Sequence, residues 1–302
     1  MISLAVALVG CTAPKGLAPA MIDIPAGFIM LGAASPPPPP PGASARPPPP
    51  PPTAATAQER WAFRGGKGLV PRSAWVSAFS IDRTEVTRDA YRAFLVATGY
   101  RSPFVDEAWA GEEGKWGLFN WSGVDYPAGT GDHPVVLVNW EDATAFCAWA
   151  GLRLPTEAEW QLAAFGPAEA SGRTRAFPWG EVYEADHLNH GSRNDPFTDA
   201  TDGYEQTSPV GSFPAGQSPF GVEDMFGNAW EFTADWRVDD WALVSGGDHA
   251  GVLADPVAAG PGLYVAVRGG SYFFDVSVNP SAERSEFLPD LRRKTSSFRC
   301  AR

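Results

Sequence analysis

Regular periodicity occupies only short windows of this 302-residue chain. Met21 to Gly32 (MIDIPAGFIMLG) reads as a strand or a tight pair of strands, and Phe79-Ser80-Ile81-Asp82 reads as another. Helical spacing first appears at Tyr91, Phe94 and Leu95, which puts an apolar face on a helix over residues 88–98. Thr87 supplies its N-cap and Gly99 the stop after it. A second helix spans 141–150, with acids in its first turn and Phe146, Trp149 and Ala150 as its buried stripe. Thr156 and Glu159 have capping-box spacing and open a third helix toward Phe165. Beyond it, Gly, Pro and Asp interrupt the chain every few residues, so short strands and irregular loops are expected, with no repeat of fixed period.

Composition points the same way. Gly 32 and Pro 30 make about a fifth of the chain, beside 12 Trp, 7 Tyr and 18 Phe. That is a loop-rich fold pinned by aromatic side chains. The net charge of −12 removes the electrostatic footprint expected for binding nucleic acid. No stretch reaches the ~18 apolar residues of a spanning helix. Three cysteines exclude a disulfide-dense scaffold and any four-cysteine metal site.

The first ten residues, MISLAVALVG, have the length of a signal-peptide apolar region, and Leu8-Val9-Gly10-Cys11 resembles a bacterial lipobox. Residues 1–20 are therefore expected to be a signal peptide and spacer, with Cys11 lipidated and the protein anchored in the cell envelope. No Lys or Arg precedes the apolar region, which departs from that pattern. Two runs of six prolines, 36–41 and 47–52, lie in an insertion at about 33–60 that is expected to be extended, solvated and disordered. It reads as an excursion from one domain, residues 21–302. Its alternative role is as a ligand for a proline-recognising groove.

Five separated blocks resemble the sulfatase-modifying-factor family, which contains the formylglycine-generating enzymes. They begin with Phe28-Ile29-Met30, Gly32 and Glu85-Val86-Thr87, and continue with Pro134–Trp160 and Phe177-Pro178-Trp179-Gly180. Pro209–Trp236 follows, and Arg268-Gly269-Gly270-Ser271 with Phe298-Arg299-Cys300-Ala301 closes the set. The resemblance implies a single loop-rich α+β domain related to the C-type-lectin-like fold.

It also implies site residues. Formylglycine-generating members bind copper(I) through two thiolates after the Gly-Gly-Ser block, because soft sulfur suits that ion. Counted back from Cys300, with Arg284 on the family arginine, those positions are Val276 and Ser281. Counted forward from Gly270 they are Asn279 and Arg284, again without sulfur. Copper and cysteine oxidation are therefore not expected, and no catalytic residue is assigned. His187 and His190 with Asp195, Asp199 or Asp202 offer the donor types of a non-heme iron triad, but Gly191, Asn194 and Pro196 make that stretch a solvated loop.

The family's two structural calcium sites carry over to oxygen donors, as a hard cation requires. One set is Asp224, Gly227, Ala229 and Glu231; the other is Asn189, His190, Asp202 and Tyr204. The resemblance further implies a Cys147–Cys300 disulfide. The expected function is an exported domain that binds or scaffolds a peptide or protein ligand; the alternative is a divergent oxidoreductase acting on a protein or peptide.

Overall fold

The computed structural model describes residues 20–31, 72–105, 119–169, 172, 174–191, 199–238, 244–258, 260–273 and 284–302. Cys11, the proline-rich insertion, Asp195, Val276 and Ser281 lie outside the described residues. Both segments expected to be strands are strands. β1 (Met21–Ile24) pairs antiparallel with β4 (Phe79–Asp82), and β2 (Gly27–Leu31) pairs antiparallel with β3 (Arg72–Val76).

All three helices form where their end signals stand. α1 spans Arg88–Thr98; Thr87 Oγ1 accepts from Ala90 N, and Gly99 at φ 67° closes it through its N–H to Leu95 O. α2 (Trp140–Trp149) starts one residue earlier than its acidic turn suggested, because Asn139 and Asp142 form a reciprocal capping box. α3 (Glu157–Phe165) carries the expected box of Thr156 and Glu159. Every residue of α3 from Ala158 to Phe165 is buried. A helix buried on all sides is enclosed on all sides, with its polar Glu159 and Gln161 paired to Arg153 and to Met30 O, and α3 packs against both four-stranded sheets.

The first of these sheets has the order β2–β3–β7–β6, with β6 at Val244–His249 and β7 at Val252–Ala258. The second has the order β10–β5–β8–β9, with β5 (Trp230–Trp236), β8 (Val265–Arg268), β9 (Arg284–Phe287) and β10 (Ser296–Ser297). β7 joins β3 in parallel, and β10 joins β5 in parallel. The last residues are stitched to β4 and to the segment before α3. Arg153 and Ala301 exchange backbone hydrogen bonds, as do Ser80 and Arg302.

Candidate functional site

The disulfide ties α2 to this terminal segment. Cys147 and Cys300 are bonded with Cα atoms 5.7 Å apart, both enclosed by protein. That leaves no free thiol among the described residues.

One residue before Cys300, Arg299 is fully buried and organises a carboxylate cluster. Its Nε and Nη2 donate to the two oxygens of Glu231 at 2.6 and 2.7 Å, and Trp160 Nε1 donates to Glu231 Oε2 at 2.8 Å. Glu85 and Asp82 are buried beside this pair. Neither carboxylate oxygen of Glu85 has a hydrogen-bond partner. Burial, and then the charges of Asp224 and Glu231, push the Glu85 carboxyl well above its ordinary range. Burial also raises Asp82 to about 7 and Asp224 to about 6, against the lowering effect of backbone N–H donors and Arg299. The cluster thus gathers more carboxyl groups than one guanidinium can hold ionised, and burial favours their protonated forms.

The two oxygen-donor sets expected from the sequence meet at Gly227. That residue sits at φ 82°, and a Cβ there would come within 2.1 Å of Asn189 O, so only glycine allows the approach. Asn228 N donates to the same carbonyl at 3.0 Å. Asp224 holds the loop with its Oδ2, which accepts from Gly211 N at 2.6 Å. In the other set, the Asp202 carboxylate accepts from His190 N at 2.8 Å and from Tyr204 N at 2.9 Å. Asn189 Nδ2 donates to Gln206 O, whereas Asn189 Oδ1 is buried without a partner. A buried orphan oxygen costs about 1–3 kcal/mol unless something occupies it. The set Asn189, His190, Asp202 and Tyr204 therefore fits a hard cation. In the set with Asp224, Glu231 already serves Arg299 and Trp160, which leaves its Oε1 the less occupied oxygen. No three His, Cys, Asp or Glu side chains converge as a metal cage among the described residues. Backbone carbonyls would have to complete either set.

A second ionic network is built on Arg284. Arg284 donates through Nε and Nη2 to Glu157 at 2.5 and 2.7 Å, with Arg268 Nε 3.9 Å from the same carboxylate. Burial pushes Glu157 up, but Arg284 and Arg268 outweigh it and hold it below the ordinary value. Asp235 accepts from Glu157 N and Ala258 N, both at 2.7 Å; burial and the Glu157 charge raise it to about 7. In the sequence Glu157 reads only as a carboxylate that could pair with the capping-box Glu159, and Glu85 and Arg299 only as letters of matching blocks. The available signal was a charge set among apolar neighbours, as in Phe298-Arg299-Cys300-Ala301, because a buried charge requires a partner elsewhere.

Comparison with known proteins adds four findings. Residues 9–302 match the family model described as "Sulfatase-modifying factor enzyme 1-like domain". The formylglycine-generating enzyme of Bos taurus is 32% identical over 259 residues, covering 75% of this chain and 66% of that protein. The bovine "Inactive C-alpha-formylglycine-generating enzyme 2" is 36% identical over 198 residues, covering 57% of this chain and 64% of that one. The chain thus spans about two thirds of the length of these relatives. Among solved structures, PvdO from Pseudomonas aeruginosa superposes with a TM-score of 0.63 at 26% identity, covering 96% of each chain.

Proposed function

The chain belongs to the sulfatase-modifying factor family, and from that premise we propose that it is a lipid-anchored envelope member that binds a peptide or protein without generating formylglycine. One observation supports the last part of this reading, the absence of formylglycine generation. The sequence holds three cysteines, of which Cys147 and Cys300 are joined to each other. Cys11 alone cannot supply two thiolates. Val276 and Ser281, at the positions implied for the copper ligands, carry no sulfur. The residues present do not fit a bis-thiolate copper(I) centre, so no step is routed through one. A relative named inactive supports the view that this fold persists without the activity.

Calcium enters the proposal as a structural ion. Asn189 and Asp202 side chains with the carbonyls of His190 and Tyr204 would hold one ion. Asp224 and Glu231 with the carbonyls of Gly227 and Ala229 would hold another. The unpartnered Asn189 Oδ1 supports the first set directly. Lipidation at Cys11 would place the domain at a membrane surface, with no demand on the net charge of −12.

The test is chemical. The purified protein is incubated with copper and a peptide carrying Cys-x-Pro-x-Arg, and the peptide is weighed by mass spectrometry. The thiol mass is expected to persist. Appreciable aldehyde product would overturn the reading and favour the oxidoreductase alternative.

A further inference from the structure

One row of residues crosses the sheet β2–β3–β7–β6 on the face turned away from α3. Phe28 pairs with Trp75, Trp75 with Ala254, and Ala254 with Gly247, one residue from each strand. The opposite face of the first two strands is closed core: Ile29, Leu31, Ala74 and Val76 are buried. On the outer face, Phe28 leaves 38% of its surface in water. Ala254 and Gly247 are small, and the ring of His249 reaches across them to lie on the Trp75 indole, 4.0 Å between centroids and 9° from parallel. Phe28 packs edge-on against Trp75 at 4.8 Å and also meets the His249 ring at 5.9 Å. The result is a three-ring platform on the outer face of the sheet, with the Asp255 carboxylate held by Ser77 at its margin.

The strands carrying Phe28 and Trp75 are also the strands between which the proline-rich insertion leaves and returns. Leu31 pairs with Arg72, and residues 32–71 run between them. We propose that the first proline run, residues 36–41, docks on the Phe28–Trp75–His249 platform of its own chain.

Three quantities favour this occupant. Leu31 stands three residues, about 10 Å, from Phe28 along the strand. The four residues 32–35 reach up to ~14 Å when extended, so Pro36 can return to the platform. Six residues of polyproline II span ~19 Å at ~3.1 Å each, whereas four strands ~4.8 Å apart are about 14 Å wide. One run therefore covers the row. Polyproline is recognised by aromatic-lined surfaces because its helix is already formed before binding, which keeps the ordering cost low. The run has no charge to desolvate, and a short tether gives it an effective concentration in the millimolar range. The second run is less suited, since residues 53–71 separate it from Arg72.

The experiment uses the imidazole NMR signals of the full chain, which has four histidines, with His249→Gln assigning the reporter. Replacing residues 36–41 by six serines is expected to shift the His249 signals and leave those of His133, His187 and His190 in place. Adding decaproline peptide to that variant is expected to move His249 back toward its parental position. Trp75→Leu, and the milder Phe28→Ser at a half-exposed ring, are expected to abolish or weaken the response to the peptide. His249 signals unchanged by the six serines would overturn the proposal. So would a parental His249 position that depends on protein concentration, which would mark docking between copies, or an effect confined to replacement of residues 47–52.

Discussion

Arg299 shows how much structure one buried guanidinium can hold. Its five N–H groups find five acceptors: Nε reaches Glu231, Nη1 the carbonyls of Asp82 and Arg83, and Nη2 the Glu223 carbonyl and Glu231. Lysine has three donors and no fork, so Arg299→Lys cannot reproduce this set. Removing one partner of a buried pair typically costs about 3–5 kcal/mol, and Arg299→Met is expected to fall in that range in denaturant unfolding. Asp82 behaves differently. Its Oδ2 accepts from Cys300 N at 2.9 Å, while Oδ1 is buried without a partner. With its pKa raised to about 7, the native state holds the proton more tightly than the unfolded chain does. Stability from this group is therefore greatest at low pH and is lost as pH rises from about 4 to about 7. Asp82→Asn keeps an acceptor for Cys300 N and removes the titration. Its stability relative to the parent is expected to be greater at pH 8 than at pH 5; an equal difference at both would contradict the assignment.

At the scale of elements, the disulfide joins α2 to the last segment across a sequence separation of 153 residues. Chain-entropy models give on the order of 4–5 kcal/mol for so long a loop, as an upper bound. The double variant Cys147→Ala, Cys300→Ala should unfold at clearly lower denaturant, and an unchanged midpoint would mean that the bond adds nothing. The helices were legible because their signals are local. Thr87, Gly99, Thr156 and Glu159 each act within one turn of their own position. The sheets were not, because their partners are remote: Ala74 pairs with Leu253, and Ser296 with Trp230. No local pattern encodes those choices. The Cys147–Cys300 pairing was legible through family resemblance, whereas Glu157–Arg284, at a sequence separation of 127, was not.

For the whole molecule, two kinds of metal have to be kept apart. The chain offers oxygen donors for a hard cation and lacks the thiolate pair implied for a soft one. An ion bound only by the native state stabilises it by mass action. Chelation is therefore expected to lower the melting temperature, and Asn189→Ala is expected to reduce that dependence on calcium. A melting temperature indifferent to calcium would leave Asp224 and Asp202 as loop-holding groups only. The central claim concerns the soft metal, and copper(I) competition tests it most directly. The protein is titrated against a chromophoric copper(I) chelator with its disulfide intact, beside the double variant Val276→Cys, Ser281→Cys. The parent is expected to withdraw no copper while the variant withdraws one equivalent; one equivalent held tightly by the parent would contradict the account.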